Sequence, residues 1–123
     1  MKILVVDDDD MMQESLRDLL AGEGYTVMTA SHGGQALEIL QKHPADIMIT
    51  DIIMPFKEGV ETIIECKRQW KDLKIIAMSG GGRAALGDFL EMAQKCGADK
   101  VVQKPFNPVQ LIAEIESLFA AGS

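Results

Sequence analysis

The chain is predicted to fold as an α/β domain with a doubly wound, five-stranded parallel sheet and five helices. Two observations lead to this prediction. Short apolar runs alternate about five times with segments whose apolar residues recur at helical spacing. Polar residues also follow directly after several of the apolar runs, as they do at the ligand-binding edge of such sheets. The length of 123 residues fits one domain, which we expect to span residues 1–123.

The first quarter of the chain predicts a strand, a helix and a second strand. Lys2–Val6 is continuously apolar after its lysine, which is typical of a strand covered on both faces. Apolar residues then recur at helical spacing from Met12, and Gly22 and Gly24 are expected to end this helix. Tyr25–Ala30 mixes threonine with apolar residues, which indicates a less buried edge strand.

The middle of the chain repeats the same alternation. Gln35–Lys42 is predicted to form a short helix, which must end before Pro44 because proline cannot continue it. Ile47–Thr50 is predicted to be the third strand. From Val60, apolar residues at helical spacing indicate a third helix that runs toward Trp70.

The last part of the chain supplies two more strands and two more helices. Lys74–Ser79 is predicted to be the fourth strand, and a fourth helix is expected to include Phe89 and Cys96. Val101–Val102 indicates a short fifth strand. Asn107 is a suitable cap for a final apolar helix.

The strand order follows from how apolar each strand is. The first, third and fourth strands are the most apolar, so we expect them in the centre of the sheet. The second is more polar and the fifth is very short, which suits the two edges. With right-handed crossovers this predicts the order 2-1-3-4-5.

Aspartates are concentrated where two of the buried strands end. Four of them, at positions 7–10, follow the first strand, and Asp51 follows the third. Carboxylates crowded together repel one another unless a cation binds them, so this pattern predicts a divalent metal site. Asp9 and Asp10 are instead expected to serve the first turn of the following helix, where the helix dipole favours negative charge.

Four strands therefore deliver polar side chains to one edge of the sheet, and the outlying second strand delivers no titratable group. Strand one delivers Asp7 and Asp8, strand three delivers Asp51, strand four delivers Ser79 and strand five delivers Lys104. Oxygen ligands suit Mg²⁺. A carboxylate at Asp51 could attack a phosphoryl group, with charge on the transferring oxygens offset by the metal and Lys104. The edge thus predicts phosphoryl chemistry.

Ordered along the chain, these residues resemble the receiver domain of two-component response regulators over essentially the full length. The single-domain chemotaxis regulators of this family have a flavodoxin-like sheet of the predicted strand order. The resemblance is carried by Val5-Val6-Asp7-Asp8, Asp51-Ile52-Ile53-Met54-Pro55 with Gly59, Met78-Ser79 and Lys104-Pro105-Phe106.

The resemblance implies a role for each residue of the metal site. Asp51 would be the phosphoacceptor. Asp8, Asp51 and the carbonyl of Ile53 would bind Mg²⁺ directly, and Asp7 would act largely through water.

The resemblance also implies a switch, and one of the departures of this chain from the family pattern concerns it. Lys104 would pair with the phosphoryl group, and the hydroxyl of Ser79 would bind it. Receivers commonly carry Tyr or Phe three residues before the lysine, where this chain has Val101. A switch that moves an aromatic ring is therefore not expected here.

The function implied is a phosphorelay signalling switch rather than an enzyme acting on other substrates. We expect a sensor histidine kinase or a histidine phosphotransfer protein as phosphoryl donor. The signal would pass to a downstream protein that the sequence does not identify. A monomer or weak dimer is expected. No output segment is predicted within the chain.

Three other functions fit the sequence less well than this switch. Aspartate-nucleophile phosphohydrolases of the haloacid dehalogenase type usually carry an acid two residues after the nucleophile, where this chain has Ile53. Nucleotide or flavin binding would need glycines after the first strand, where aspartates would instead repel phosphate. A receiver-like module that binds partners without phosphorylation is disfavoured by the full set of acids, serine and lysine.

Composition narrows the partners and the compartment. The net charge of -7 argues against nucleic acid or anionic membrane as a partner. No signal peptide or membrane span is predicted, so a cytoplasmic location is expected. Cys66 and Cys96 are expected to be reduced thiols rather than a disulfide. His32 and His43 are expected to be solvated surface groups.

Overall fold

The computed structural model describes residues 1–51, 58–79, 95–103 and 107–122. The side chains of residues 58–60, 79 and 119–122 lie outside this description. The described strands form one five-stranded sheet in the order β2-β1-β3-β4-β5, and every pairing is parallel. The predicted fold class and strand order are therefore confirmed.

The strands and helices alternate along the chain as predicted. The strands are β1 Lys2–Val6, β2 Thr26–Ala30, β3 Ile47–Asp51, β4 Lys74–Ser79 and β5 Lys100–Gln103. The described helices are α1 Asp10–Gly22, α2 Gly33–Lys42, α3 Glu58–Gln69 and α4 Pro108–Gly122. Helix α4 is the last of the five helices that the sequence predicts. The predicted fourth helix lies mostly outside the described residues, although Lys95 and Cys96 at its expected end are helical.

Successive side chains of β1 point to opposite faces of the sheet, and the core accordingly forms two clusters, one on each face. Leu4 and Val6 point to a cluster that includes residues of α2 and α3. Ile3 and Val5 point to a second cluster that includes residues of α1 and α4. Because both faces are covered by helices, the central strands are apolar on both sides.

The edge strands are less buried than the central ones, as predicted. Every residue of β3 is buried, whereas β2 is only partly buried before Ala30. Strand β5 has one buried residue, Val102. The difference in burial explains why apolar content alone predicts the strand order.

Four element boundaries differ from the sequence prediction, each because of a hydrogen bond or a strand pairing. Helix α2 begins two residues earlier than predicted, because Nδ1 of His32 accepts a hydrogen bond from the Gln35 backbone N–H at 3.2 Å. His32 is exposed as expected, but it also caps this helix. Strand β2 begins one residue later, because the Tyr25 N–H donates to the Leu20 carbonyl at 3.2 Å.

Strands β3 and β5 are longer than predicted. Asp51 belongs to β3 because it pairs with Met78 of β4. Lys100 and Gln103 extend β5 because they pair with Ile76 and Ser79 of β4. The sequence prediction makes these two strands too short, because a polar residue at the end of a strand resembles a loop residue.

The end of α1 and the start of α4 are formed as the sequence predicts. Gly24 follows the last turn of α1 with a φ of 94°, a left-handed conformation that glycine adopts without a steric penalty. Asn107 caps α4, since its side-chain oxygen accepts from the backbone N–H groups of Val109 and Gln110 at 2.8 and 3.3 Å. Among the described helices, none is both long and apolar enough to span a bilayer.

Both cysteines are free thiols, as predicted, and their environments differ. Cys66 is fully buried with its sulfur 3.8 Å from that of Met48, and burial raises the pKa of its thiol to about 12. Cys96 is half-buried. Since the thiolate is the reactive form, a thiol reagent at mildly alkaline pH should modify Cys96 and spare Cys66 in the native protein.

Mass-spectrometric mapping after brief exposure to the reagent checks this prediction. The same treatment in denaturant should modify both cysteines, because unfolding returns the pKa of Cys66 to its ordinary value. Equal labelling of Cys66 and Cys96 in the native protein would contradict the burial of Cys66.

Candidate metal-binding site

The pairing of β1 with β3 brings the predicted metal ligands to one point on the sheet edge. Val6 pairs with Thr50, so Asp7 and Asp51, the next residue of each chain segment, lie side by side. Asp51 is the last residue of β3 and is only 6% exposed. Asp7 is completely buried. The site therefore lies at the carboxyl end of the central strands, as expected for this topology.

Asp8 completes a cluster of three carboxylates. One oxygen from each of Asp7, Asp8 and Asp51 lies within 4.8 Å of the others. Asp8 is exposed, whereas the other two are buried. The cluster is thus open to solvent on one side and enclosed by protein on the other.

These three residues could hold a metal ion, and their chemistry fits a hard divalent cation. All three supply carboxylate oxygens, the ligand type that Mg²⁺ prefers. Mg²⁺ also keeps several bound waters, which the exposed side at Asp8 would admit. A cation here would offset the mutual repulsion of three negative charges, most strongly where the surroundings are buried.

The polar groups of Asp7 are held by the neighbouring backbone. Its N–H donates to the carbonyl of Ala30 at 3.0 Å, which joins the end of β1 to the end of β2. Its Oδ1 accepts from the N–H of Asp9 at 2.9 Å. The bond from Asp9 offsets part of the cost of burying the Asp7 carboxylate, and the bond to Ala30 fixes its backbone.

Asp9 and Asp10 serve the start of α1, as the sequence predicts. Oδ1 of Asp9 accepts from the N–H groups of Met11 and Met12 at 2.9 and 3.4 Å, so Asp9 is the N-cap. Asp10 lies in the first turn, where the positive end of the helix dipole favours a carboxylate.

One contact at this edge was not predicted from the sequence. Nε2 of Gln13 donates to the Asp7 carbonyl, to the Ala30 carbonyl at 3.0 Å and to Oγ of Ser31 at 3.2 Å. Strand β2, which offers no titratable group, thus contributes the Ala30 carbonyl as an acceptor, and Ser31 after it contributes a hydroxyl. The sequence shows that Gln13 lies four residues after the Asp9 cap. It does not show that the side chain donates to backbone carbonyls, because this contact follows no sequence spacing.

The remaining predicted site residues lie at or beyond the limit of what the structure describes. The backbone of Ser79 ends β4 and pairs with Gln103, the residue before Lys104 in the sequence. The side chain of Ser79 and all of Ile53 and Lys104 lie outside the described residues. Their roles stay predictions.

Val101, at the position where receivers commonly carry Tyr or Phe, lies within β5. It is half-buried, pairs with Ala77 and packs against the core cluster formed with α2 and α3.

Comparisons with known proteins agree on one family. The model of the response regulator receiver domain matches residues 3–116. Response regulator RR06 of Streptococcus pneumoniae is 38% identical over 120 residues, which are 96% of this chain and 52% of that protein. Transcriptional regulatory protein CpxR of Escherichia coli is 36% identical over 117 residues, 95% of this chain and 48% of that protein. The chain spans about half the length of these curated relatives.

Solved structures give the same result for the fold. The CheY-like receiver domain protein of Methanospirillum hungatei has a TM-score of 0.87 and 29% identity, and the match covers 98% of this chain and 94% of that one. The chemotaxis response regulator CheY4 of Vibrio cholerae has a TM-score of 0.83 and 29% identity, with 94% and 96% covered. With the family model matching most of its length, the chain belongs to the response regulator receiver domains of two-component signalling.

Proposed function

We propose that this chain is a phosphorelay switch that accepts a phosphoryl group on Asp51 in a Mg²⁺-dependent reaction. The observation that supports this most strongly is the cluster of Asp7, Asp8 and Asp51, whose ligand oxygens lie within 4.8 Å of one another at the sheet edge. A receiver domain with these three acids in place has both a nucleophile and a site for the cation.

The proposed reaction uses a phosphohistidine of a sensor kinase or a phosphotransfer protein as donor. A carboxylate oxygen of Asp51 attacks the phosphorus, and an oxygen–phosphorus bond forms to give an acyl phosphate. The phosphorus–nitrogen bond of the donor breaks, and its electron pair returns to the imidazole. The domain catalyses only its own phosphorylation and dephosphorylation in this scheme.

The metal ligands are proposed to be Asp8, Asp51 and the Ile53 carbonyl, with Asp7 acting largely through water. When bound, Mg²⁺ would supply positive charge next to the phosphoryl oxygens. The burial of Asp7 and Asp51 supports this assignment, because electrostatic interactions are stronger where water is excluded.

Lys104 and Ser79 are proposed to contact the phosphoryl group. The end of β4 pairs with the end of β5 through Ser79 and Gln103, directly before Lys104, which supports a shared location.

The added charge of roughly -1.5 to -2 would then shift the domain between two states of its partner-binding surface. With Val101 in β5, we propose that backbone movement rather than an aromatic ring changes that surface. We propose a cytoplasmic protein that passes the signal to a downstream protein as a monomer or weak dimer.

Removal of the metal tests this proposal. Incubation with acetyl phosphate and Mg²⁺ should add one phosphoryl group to the native protein, measured as intact mass. An excess of the chelator EDTA should abolish the addition, because the crowded carboxylates then repel the anionic donor. Restoring Mg²⁺ should restore it. Equal labelling with and without Mg²⁺ would contradict the proposed metal dependence, and a complete lack of labelling would contradict phosphoryl acceptance.

A further inference from the structure

Gln13 reaches from α1 across the carboxyl ends of β1 and β2. Its Nε2 shares two N–H groups among three acceptors: the carbonyls of Asp7 and Ala30, and Oγ of Ser31. The Ser31 N–H in turn donates to Oε1 of Gln35 at 2.7 Å. A short polar network therefore joins α1, both strand ends and the start of α2.

The start of α1 places Gln13 in this position. The Asp9 side chain caps the helix, and the Gln13 N–H donates to the Asp9 carbonyl at 3.0 Å, which closes its first turn. The side chain of Gln13 is half-buried, so its amide lies between the helix and the sheet edge. The Asp9 side chain accepts from the N–H groups of Met11 and Met12, and the amide of Gln13 donates to the strand ends.

The contact with the Asp7 carbonyl has a consequence for Asp8. Because a peptide unit is planar, a partner that holds the carbonyl of Asp7 also orients the N–H and the Cα of Asp8. The N–H of Asp7 is held separately by the Ala30 carbonyl. Asp8 is exposed, and the peptide held by this contact leads directly to its Cα.

We propose that Gln13 is a positioning residue of the metal site, which orients the Asp7–Asp8 peptide so that both carboxylates face Asp51. This inference rests on the proposed Mg²⁺-dependent function and adds a residue to it. Gln13 makes no contact with the metal or the phosphoryl group in this role. It acts through the ligands, as residues that hold metal ligands commonly do.

Mg²⁺ binding measured by calorimetry tests the proposal without using activity. Gln13→Met keeps the length and neutrality of the side chain but removes both donors. Loss of a residue that holds a metal ligand typically weakens metal binding by about 10- to 100-fold, and we expect the Mg²⁺ Kd to rise by about 10-fold. In the metal-free protein, the amide NMR signals of Asp8 and Asp9 should shift in the same variant.

Two control variants separate this role from a general effect on the fold. Ser31→Ala removes one acceptor of Gln13 and leaves the Asp7 carbonyl contact, so its Mg²⁺ Kd should stay close to the native value. Gln41→Met makes the same change at an exposed position on α2 and should also leave Kd unchanged. If Gln13→Met does not fold, Gln13→Asn keeps the amide on a shorter side chain and should weaken Mg²⁺ binding in the same direction.

The dependence of phosphorylation on Mg²⁺ gives a second readout. In Gln13→Met, the Mg²⁺ concentration needed for half-maximal labelling by acetyl phosphate should rise by the same factor as the Mg²⁺ Kd. The rate at saturating Mg²⁺ should approach the native rate, since Asp51 itself is unchanged. A purely structural defect would lower the saturating rate.

The outcomes distinguish failure of this inference from failure of the proposed function. Native protein that binds no Mg²⁺ would overturn the metal site and the role of Gln13 together. Native protein and Gln13→Met with equal Mg²⁺ affinity would overturn the role of Gln13 alone. Ser31→Ala that weakens binding as much as Gln13→Met would also overturn it, because the Asp7 contact would then not be the cause.

Discussion

Asp51→Asn should eliminate phosphorylation by acetyl phosphate in the presence of Mg²⁺. Asparagine keeps the size of the side chain at the end of β3 but lacks the anionic oxygen that attacks phosphorus. It also removes one of three charges that would bind the cation. Intact-mass measurement should show one added phosphoryl group on the native protein and none on the variant.

Asp18→Asn is the matched control, because it makes the same change at an exposed position of α1. It should accept phosphate like the native protein. Peptide mapping of the labelled native protein should place the group on Asp51. Labelling that persists in Asp51→Asn would show that another residue is the acceptor.

Leu16→Ala should produce the largest loss of stability among the variants considered. Leu16 is fully buried on α1 in the core cluster that also contains Ile3, Val5 and Ile115. Removing a buried leucine side chain typically costs about 2–5 kcal/mol, because apolar contacts are lost and a cavity remains. The free energy of unfolding from urea titration should fall by this amount.

Leu19→Ala is the matched control on the same helix. Leu19 is only partly buried at the edge of the same cluster, so its loss should cost about 1 kcal/mol. Both variants replace leucine by alanine in the same helix, so the change in helix propensity is equal. The two positions differ in how deeply the leucine is buried. Equal losses at both positions would contradict the packing of α1 against the sheet.

The sheet could be predicted from the sequence because burial and apolar content coincide strand by strand. All of β3 is buried and reads as an unbroken apolar run up to Thr50, whereas β2 is partly exposed and contains threonines. Boundaries were less predictable. They depend on individual partners, such as the His32 ring that begins α2 early and the pairing of Asp51 with Met78 that extends β3.

The acids of the site could be predicted for a similar reason. A carboxylate directly after a buried parallel strand must lie at the carboxyl edge of the sheet, so the sequence predicts that Asp7, Asp8 and Asp51 lie together. Their meeting within 4.8 Å agrees with that expectation. The roles of Ser79 and Lys104 come from the family pattern, and their side chains lie outside the described residues.

The support for Asp7 could not be predicted in the same way. Gln13 contacts backbone carbonyls. Because every residue has a backbone carbonyl, the acceptor residues have no sequence pattern that would reveal the contact. Only the three-dimensional position of α1 relative to β1 and β2 reveals it.

A crystal structure of the protein with Mg²⁺ and beryllofluoride, an analogue of the phosphoryl group, tests the central claim most directly. We predict one Mg²⁺ bound by Asp8 and Asp51, the analogue on the Asp51 carboxylate, and the Lys104 ammonium and Ser79 hydroxyl in contact with it. A cation bound elsewhere, or Lys104 directed away from Asp51, would contradict the claim that these residues form one phosphoacceptor site.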